Sequence, residues 1–233
     1  MTKEQLLLQL KNNNIACTKT QLNLLLALME STLAENEKFN LTAITDRDAF
    51  VEKMLFDSAM ALYDIDLADK KVIDIGTGAG FPGMVIRILS PKSEVTLLDS
   101  TAKKINYLKE FANKHYLNIN GVSNRAEDFA RDNREQYDYA FARAVAPLPI
   151  LLEIITPMVK VDGYFIALKG PGYEQELNES SNALKKLGCV IESLYEFELP
   201  ESHDKRVIIR IKKKKVTNKK FPRQFNEIKR QPL

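Results

Sequence analysis

The stretch Val72-Ile73-Asp74-Ile75-Gly76-Thr77-Gly78-Ala79-Gly80-Phe81-Pro82-Gly83 decides the fold. A β-branched run (Val72, Ile73, Ile75) passes directly into four glycines within eight positions. Apolar β-branched runs make buried strands, and clustered glycines let the backbone turn sharply and lie against a ligand. A strand that feeds a glycine-rich turn and then a helix is the nucleotide-binding corner of an α/β sheet.

Outward from this corner the pattern repeats. Strand-like runs fall at 71–76, 94–98, 119–123, 137–142 and 162–168, with helical spacing over 82–90, 101–117, 147–158 and 173–187. Two further strand runs, 189–199 and 206–211, flank a Pro200–Lys205 turn and read as a hairpin. Five βα units followed by a hairpin predict a Rossmann-like α/β fold, with a seven-stranded, mainly parallel sheet and a C-terminal antiparallel hairpin. Residues 3–63 carry leucines at helical spacing, and Thr18-x-x-Gln21 has the form of a capping box. A third helix is expected from near Asp46, carrying Phe50, Met54, Leu55 and Ala59. The expected organisation is an N-terminal helical cap (1–66), an α/β domain (67–211) and a basic C-terminal tail (212–233).

The chain has 233 residues, 45% of them hydrophobic, enough for a substantial core. It has no apolar run near the roughly 18 residues that span a bilayer, so no membrane role is expected. Two cysteines far apart, Cys17 and Cys189, suit buried thiols in a reducing cytoplasm rather than a disulfide framework or a metal site. Charge is unevenly placed. Residues 205–233 hold twelve Lys/Arg against one acid, so this segment carries +11 and the rest of the chain −8. A localised basic surface with Phe221 and Phe225 among its cations points to a polyanion, and to nucleic acid before an anionic membrane or a merely solubilising tail.

The glycines match two fingerprints. Gly78-x-Gly80-x-x-Gly83, with Asp99 downstream, fits a dinucleotide site and hence a nicotinamide-dependent oxidoreductase. Asp74-x-Gly76-x-Gly78-x-Gly80 resembles motif I of class I S-adenosylmethionine-dependent methyltransferases. An acid inside the first strand gives a pyrophosphate nothing, whereas a sulfonium or ammonium cation gains from it. Pro82 falls at the first helical turn and offers no amide to a phosphate. The reversed hairpin favours the same side. Asp99, ending Val95-Thr-Leu-Leu-Asp, can accept ribose hydroxyls, with a helix N-cap as its other reading. Arg125-Ala126-Glu127-Asp128 stands where adenine contacts are expected.

The fourth strand ends Ala142-Arg143-Ala144-Val145-Ala146-Pro147-Leu148, where the acceptor should be handled. No Asn/Asp-Pro-Pro-aromatic tetrad and no cysteine nucleophile is present, and His203 lies in the hairpin turn. No catalytic base is expected, and none is needed for guanine N7, whose lone pair is exposed. Arg143 can position the base, since an arginine fork matches guanine N7 and O6, or it can contact the cofactor; a buried salt bridge is its other reading. A non-catalytic RNA-binding protein with a vestigial pocket also stays open.

Asn40-Leu-Thr-Ala43, Asp74–Gly83, Leu97-Leu-Asp-Ser100 with Lys103-Lys104, Arg125-Ala-Glu127, Ala142–Leu148, Lys169-Gly170 and Phe221-Pro-Arg223 occur in one order. Together they closely resemble the ribosomal RNA small subunit methyltransferase G family, formerly called glucose-inhibited division protein B. The resemblance implies transfer of a methyl group from S-adenosylmethionine to N7 of guanine 527 in 16S rRNA. Its implied partner is the small ribosomal subunit or its precursor. Residue by residue, the motif and the resemblance put cofactor contacts at Asp74, Gly76, Gly78, Gly80, Phe81, Asp99, Ala126, Glu127 and Arg143. Lys169, Arg206, Lys212, Lys213, Lys214, Lys215 and Arg223 are the candidate RNA contacts. The family's tail more often reads Tyr-Pro-Arg followed by a glycine; here Phe221-Pro-Arg223 is followed by Gln224-Phe225-Asn226.

Overall fold

In the computed structural model, which describes residues 1–233, the chain alternates between strands and helices from Lys71 onward. The strands are β1 (Lys71–Ile75), β2 (Glu94–Asp99), β3 (Asn120–Ser123), β4 (Tyr137–Arg143), β5 (Val159–Lys169), β6 (Cys189–Glu198) and β7 (Lys205–Lys213). They form one sheet in the order β3-β2-β1-β4-β5-β7-β6. β1 to β5 pair in parallel, and β7 runs antiparallel to both β5 and β6. This is the expected mainly parallel sheet with a terminal hairpin.

Preceding the sheet are α1 (Lys3–Asn12), α2 (Lys19–Asn36), α3 (Arg47–Phe50) and α4 (Asp57–Ala59). A π-helical segment, Val51–Phe56, joins the last two, and a 3₁₀ turn, Met60–Leu62, follows. The crossovers are α5 (Gly83–Leu89), α6 (Ala102–Lys114), α7 (Ala126–Asp132), α8 (Leu148–Ile155), α9 (Tyr173–Glu179) and α10 (Ser181–Leu187); α11 (Phe225–Arg230) comes last. The expected single helix over 173–187 is instead two. At the break, the buried Ser180 turns its hydroxyl back onto the Glu176 carbonyl at 2.6 Å, a bond that bends helices.

Alternation along β1 sends side chains to two cores. Val72 faces α5, α6 and the N-terminal helices, while Ile73 and Ile75 face α7, α8 and α10. The cap is fused to the first core. The Thr18 hydroxyl accepts from the Gln21 amide at 3.2 Å and Gln21 Oε1 accepts from Thr18 N at 2.9 Å, completing the capping box. Gln21 Nε2 then donates to the last carbonyls of α5, Ile88 at 2.9 Å and Leu89 at 3.1 Å. One side chain therefore closes the start of α2 and the end of α5.

The C-terminal segment is a strap rather than a tail. β7 continues through Lys213, and residues beyond it fold back over α7 and α8. Phe221 and Ile228 are buried in the second core. Arg134 donates to the carbonyls of Phe221 (2.7 Å) and Thr217 (2.6 Å). Arg223 grips Glu153 with Nε at 2.8 Å and Nη2 at 2.7 Å, and its amide adds a third bond at 2.9 Å. Glu153 is 0% exposed, so this guanidinium is what neutralises it. Replacing Arg223 by Ala would strand a buried carboxylate, a loss expected to cost about 3–5 kcal/mol. Urea denaturation of Arg223→Ala against wild type measures this, and a change below about 1 kcal/mol would show that the pair does not hold the strap.

Candidate functional site: two cavities sharing one loop

The glycine turn is built over a buried carboxylate. Asp74 is inside β1 and its Oδ2 accepts the Gly83 amide, the first of α5, at 2.8 Å. A Cβ on Gly83 would lie 2.7 Å from the Asp74 side chain and 2.3 Å from Leu97, so only glycine lets the helix start this close. The second oxygen, Oδ1, has no hydrogen-bond partner. Burial pushes the Asp74 pKa up to about 6, against the lowering effect of the nearby Thr77 hydroxyl, the Gly83 amide and the Arg143 charge.

Two of the expected cofactor contacts change role here. Asp74 does not face either cavity; it acts through Gly83 and the turn. Phe81 is buried, packed edge-on against Phe50 with ring centroids 5.6 Å apart, and lines neither cavity. Both are drawn into the core because the turn folds back over β1.

The first cavity, about 340 Å³, opens at the C-terminal ends of β1, β2 and β3. Gly76, Asp99, Ala126 and Glu127 line it, as expected, together with Ser100, Thr101, Lys104, Arg125, Leu151, Ile154 and Phe225. Asp99 Oδ2 accepts the Gly78 amide at 3.0 Å and Oδ1 accepts the Thr101 amide at 2.8 Å. It therefore braces the glycine turn and the start of α6 at once. Each oxygen keeps a second lone pair for a hydroxyl donor. Ala126 is the first residue of α7, and its amide has no helical partner. Glu127 is buried, with Arg125 Nε 3.0 Å away. Gly78 and Gly80 shape the turn from behind and do not line the cavity.

The second cavity, about 590 Å³, lies beyond β4. Its charged lining is Lys53, Asp57, Arg143, Lys169, Glu176 and Arg206, a net +2. Every one of these groups has a partner. Asp57 Oδ2 lies 3.2 Å from Arg143 and 3.3 Å from Arg206, Lys53 pairs with Asp204 at 3.0 Å, and Lys169 pairs with Glu176 at 2.7 Å. Arg143 also donates to the Lys53 carbonyl at 2.9 Å. Arg143 thus belongs to this cavity and not to the first, and its salt-bridge reading is the one the geometry shows.

The two cavities share Ala144, Val145 and Ala146. Ala144 has φ +55, a left-handed conformation that costs a non-glycine residue about 1–2 kcal/mol. The turn it makes brings Val145 over Gly76, where a Cβ would meet Val145 Cγ2 at 2.6 Å. Gly76 is therefore the notch that seats the dividing loop. The Lys169 ammonium fixes the loop from the far side, donating to the Ala146 carbonyl at 2.7 Å.

A family model described as rRNA small subunit methyltransferase G matches residues 21–207. The chain belongs to this family. It is 47% identical over 85% of its length to the Ribosomal RNA small subunit methyltransferase G of Thermoanaerobacter pseudethanolicus, covering 84% of that protein. It is 38% identical to the protein of that name from Lactobacillus helveticus, with both chains covered completely. Among solved structures, M. jannaschii TYW2 in complex with AdoMet shares the fold at TM-score 0.58 and 15% identity, covering 73% of this chain and 79% of that one. Family membership sets the oxidoreductase reading aside. The local geometry agrees, because Pro82 lacks an amide and the Gly83 amide is already taken by Asp74, so α5 has little to offer a pyrophosphate.

Several expected RNA contacts are corrected by their surroundings. Lys213 is 1% exposed and donates to Glu135 (2.7 Å) and to the carbonyls of Thr156 (3.0 Å) and Val159 (2.7 Å). Burial pulls its pKa down while Glu135 opposes the shift. Arg223 is committed to Glu153, and Lys169 to Glu176 and the dividing loop. Lys212 reaches Asp162 and Glu192 at 3.8 and 3.9 Å, whereas Lys214 and Lys215 are exposed. Alternation along β7 explains Lys213, which follows Val207, Ile209 and Ile211 onto the face of the second core, whereas Lys214 and Lys215 lie past the end of the strand. Sequence reasoning misses Asp57 and Glu176, and reads Phe225 with Phe221 as a nucleic-acid contact rather than as a wall of the first cavity. The first two sit within helical segments that show only amphipathic spacing, and the cations around Phe225 in the sequence draw it toward a nucleic-acid reading.

Asp74 makes stability pH-dependent. Its folded pKa near 6 exceeds the ordinary carboxylate value, so its contribution is fully present below about pH 4 and is lost as pH rises through 6. A shift of about two units corresponds to about 3 kcal/mol. Asp74→Asn keeps an acceptor for Gly83 without the charge. It is expected to be less destabilised than wild type on going from pH 5 to pH 8, as measured by chemical denaturation at both values. Parallel pH profiles would contradict the assignment.

Proposed function

We propose that the protein transfers a methyl group from S-adenosylmethionine, held in the smaller cavity, to N7 of a guanine of small-subunit rRNA entering the larger one, in the cytoplasm. The observation that carries this reading is the shared Ala144-Val145-Ala146 boundary. It sets a cavity suited to a nucleoside donor edge to edge with a positively charged cavity in which every ionisable group is already paired.

The smaller cavity fits the donor. Asp99 is at the end of β2 with lone pairs to spare for ribose hydroxyls, and Ala126 and Glu127 offer an amide and a carboxylate for an adenine edge. Gly76 lines the cavity with backbone alone and seats Val145 of the dividing loop against it. When bound, S-adenosylmethionine supplies an electrophilic methyl on a sulfonium.

The acceptor side needs placement rather than proton transfer. Guanine N7 attacks with a lone pair that carries no hydrogen, so the absence of an uncommitted base among Lys53, Asp57, Lys169 and Glu176 is no obstacle. Arg143 and Arg206, bracketed by Asp57, hold their guanidinium groups at the cavity wall, where N7 and O6 acceptors or a phosphate can be received. The dividing loop keeps the two ligands in line. The exposed Lys214, Lys215, Lys219 and Lys220 follow the end of β7, beside the start of β5 and so at the opposite edge of the sheet from the two cavities, where they supply charge for phosphates distant from the target base.

Incubation of small-subunit RNA with radiolabelled S-adenosylmethionine, followed by nucleoside mass spectrometry, tests the reading. Label in 7-methylguanosine is expected; label confined to another nucleoside or to protein would refute it. Asp99→Ala should raise the KM for the donor roughly tenfold or more with kcat at saturation little changed, because its bonds to ribose exist already in the ground state. Lys214→Gln with Lys215→Gln should flatten the salt dependence of RNA binding by roughly one unit of slope for each phosphate these lysines neutralise. An unchanged slope would assign these two lysines to solubility alone.

A further inference from the structure

The strap delivers an aromatic side chain to the smaller cavity. Phe225, the first residue of α11, lines it beside Arg125, Ala126, Leu151 and Ile154. The Arg125 guanidinium lies 4.8 Å from the ring centroid, and the ring is half-buried. The Arg223 fork on Glu153 anchors the segment two residues before it, and the buried Ile228 anchors it three residues after. The ring is therefore held in place from both sides without being absorbed into the core.

Its position along the cavity can be read from its neighbours. A shallow depression next to the cavity is lined by Arg125, Glu127, Asp128, Gln224, Phe225 and Asn226, and by none of the dividing-loop residues. Phe225 therefore stands at the end of the cavity beside the α7 start, away from the dividing loop. On the reading of this cavity as the donor site, that end holds the nucleobase.

We propose that Phe225 is a donor-binding residue whose ring packs on the purine of S-adenosylmethionine, making the C-terminal strap a wall of the donor site as well as a carrier of basic residues. The proposal rests on the donor-site reading above. An aromatic side chain under a base contributes roughly five- to hundredfold in affinity by truncation, and it does so for any purine face. The contact is made to a part of the donor that does not react, so it acts on binding and not on the methyl transfer step.

The test is isothermal titration of the full-length protein with S-adenosylhomocysteine and with methylthioadenosine, which lacks the amino-acid portion. Phe225→Ala should weaken both by the same factor, roughly fivefold or more, and Phe225→Trp should restore affinity to within about threefold. Phe225→Leu keeps apolar bulk in the strap, so an equal loss there identifies stacking rather than a collapsed strap. Unchanged affinity in Phe225→Ala and Phe225→Leu would overturn the proposal. So would a loss confined to S-adenosylhomocysteine, which would place the ring at the amino-acid end. If the wild-type protein binds neither ligand, the donor-site reading fails and this proposal falls with it.

Discussion

One hydrogen bond underlies the site: the Asp74 carboxylate, inside the sheet, receives the first amide of α5. It sets how closely the helix can approach β1, and it requires a residue without a side chain at Gly83. The carboxylate is buried deeply enough for its proton affinity to rise, so the fold tolerates an electrostatic cost at its centre. What that arrangement secures is a turn whose backbone lines the first cavity at Gly76, with Gly78 and Gly80 shaping it from behind. Asp99 then reaches over from β2 to hold the Gly78 amide. Strands, turn and first helix are thereby fixed in one piece before any ligand arrives.

The strand order does the rest. β1 lies between β2 and β4, so crossovers leave it in opposite directions and open a crevice at its C-terminal end. The crevice is split in two because Ala144 turns left-handed and lays Val145 into the notch at Gly76. The half toward β2 and β3 has balanced charge, and the half toward β5 and β7 is cationic. A group transfer between two dissimilar ligands needs two such compartments meeting along a thin boundary.

Much of the fold was legible because period and punctuation agree with it. The β-branched runs, the glycine corner, the capping box and the Pro200–Lys205 turn each fall where the structure has them. That Asp99, Ala126 and Glu127 gather at one cavity was legible as well, since sheet topology places strand ends without reference to packing detail. Other residues were hidden for physical reasons. The direction of Asp74 and Phe81 depends on how the turn folds back over β1, which spacing does not encode. Lys213 and Arg223 looked like solvent-facing cations because their partners, Glu135 and Glu153, are 78 and 70 residues away. The break at Ser180 depends on one side-chain rotamer.

Asp57 has a consequence for biosynthesis. Its carboxylate joins residues from three distant parts of the chain, with Arg143 and Arg206 lying 86 and 149 positions further on. A chain emerging from the ribosome in N- to C-terminal order can form the cap and most of the parallel sheet early. Until β7 is made, however, Asp57 has only one of its two guanidinium partners, and the second cavity lacks a wall. The second cavity is therefore closed only by the last stretch of synthesis, after the residues of the glycine turn and of the first cavity's strand ends have been made.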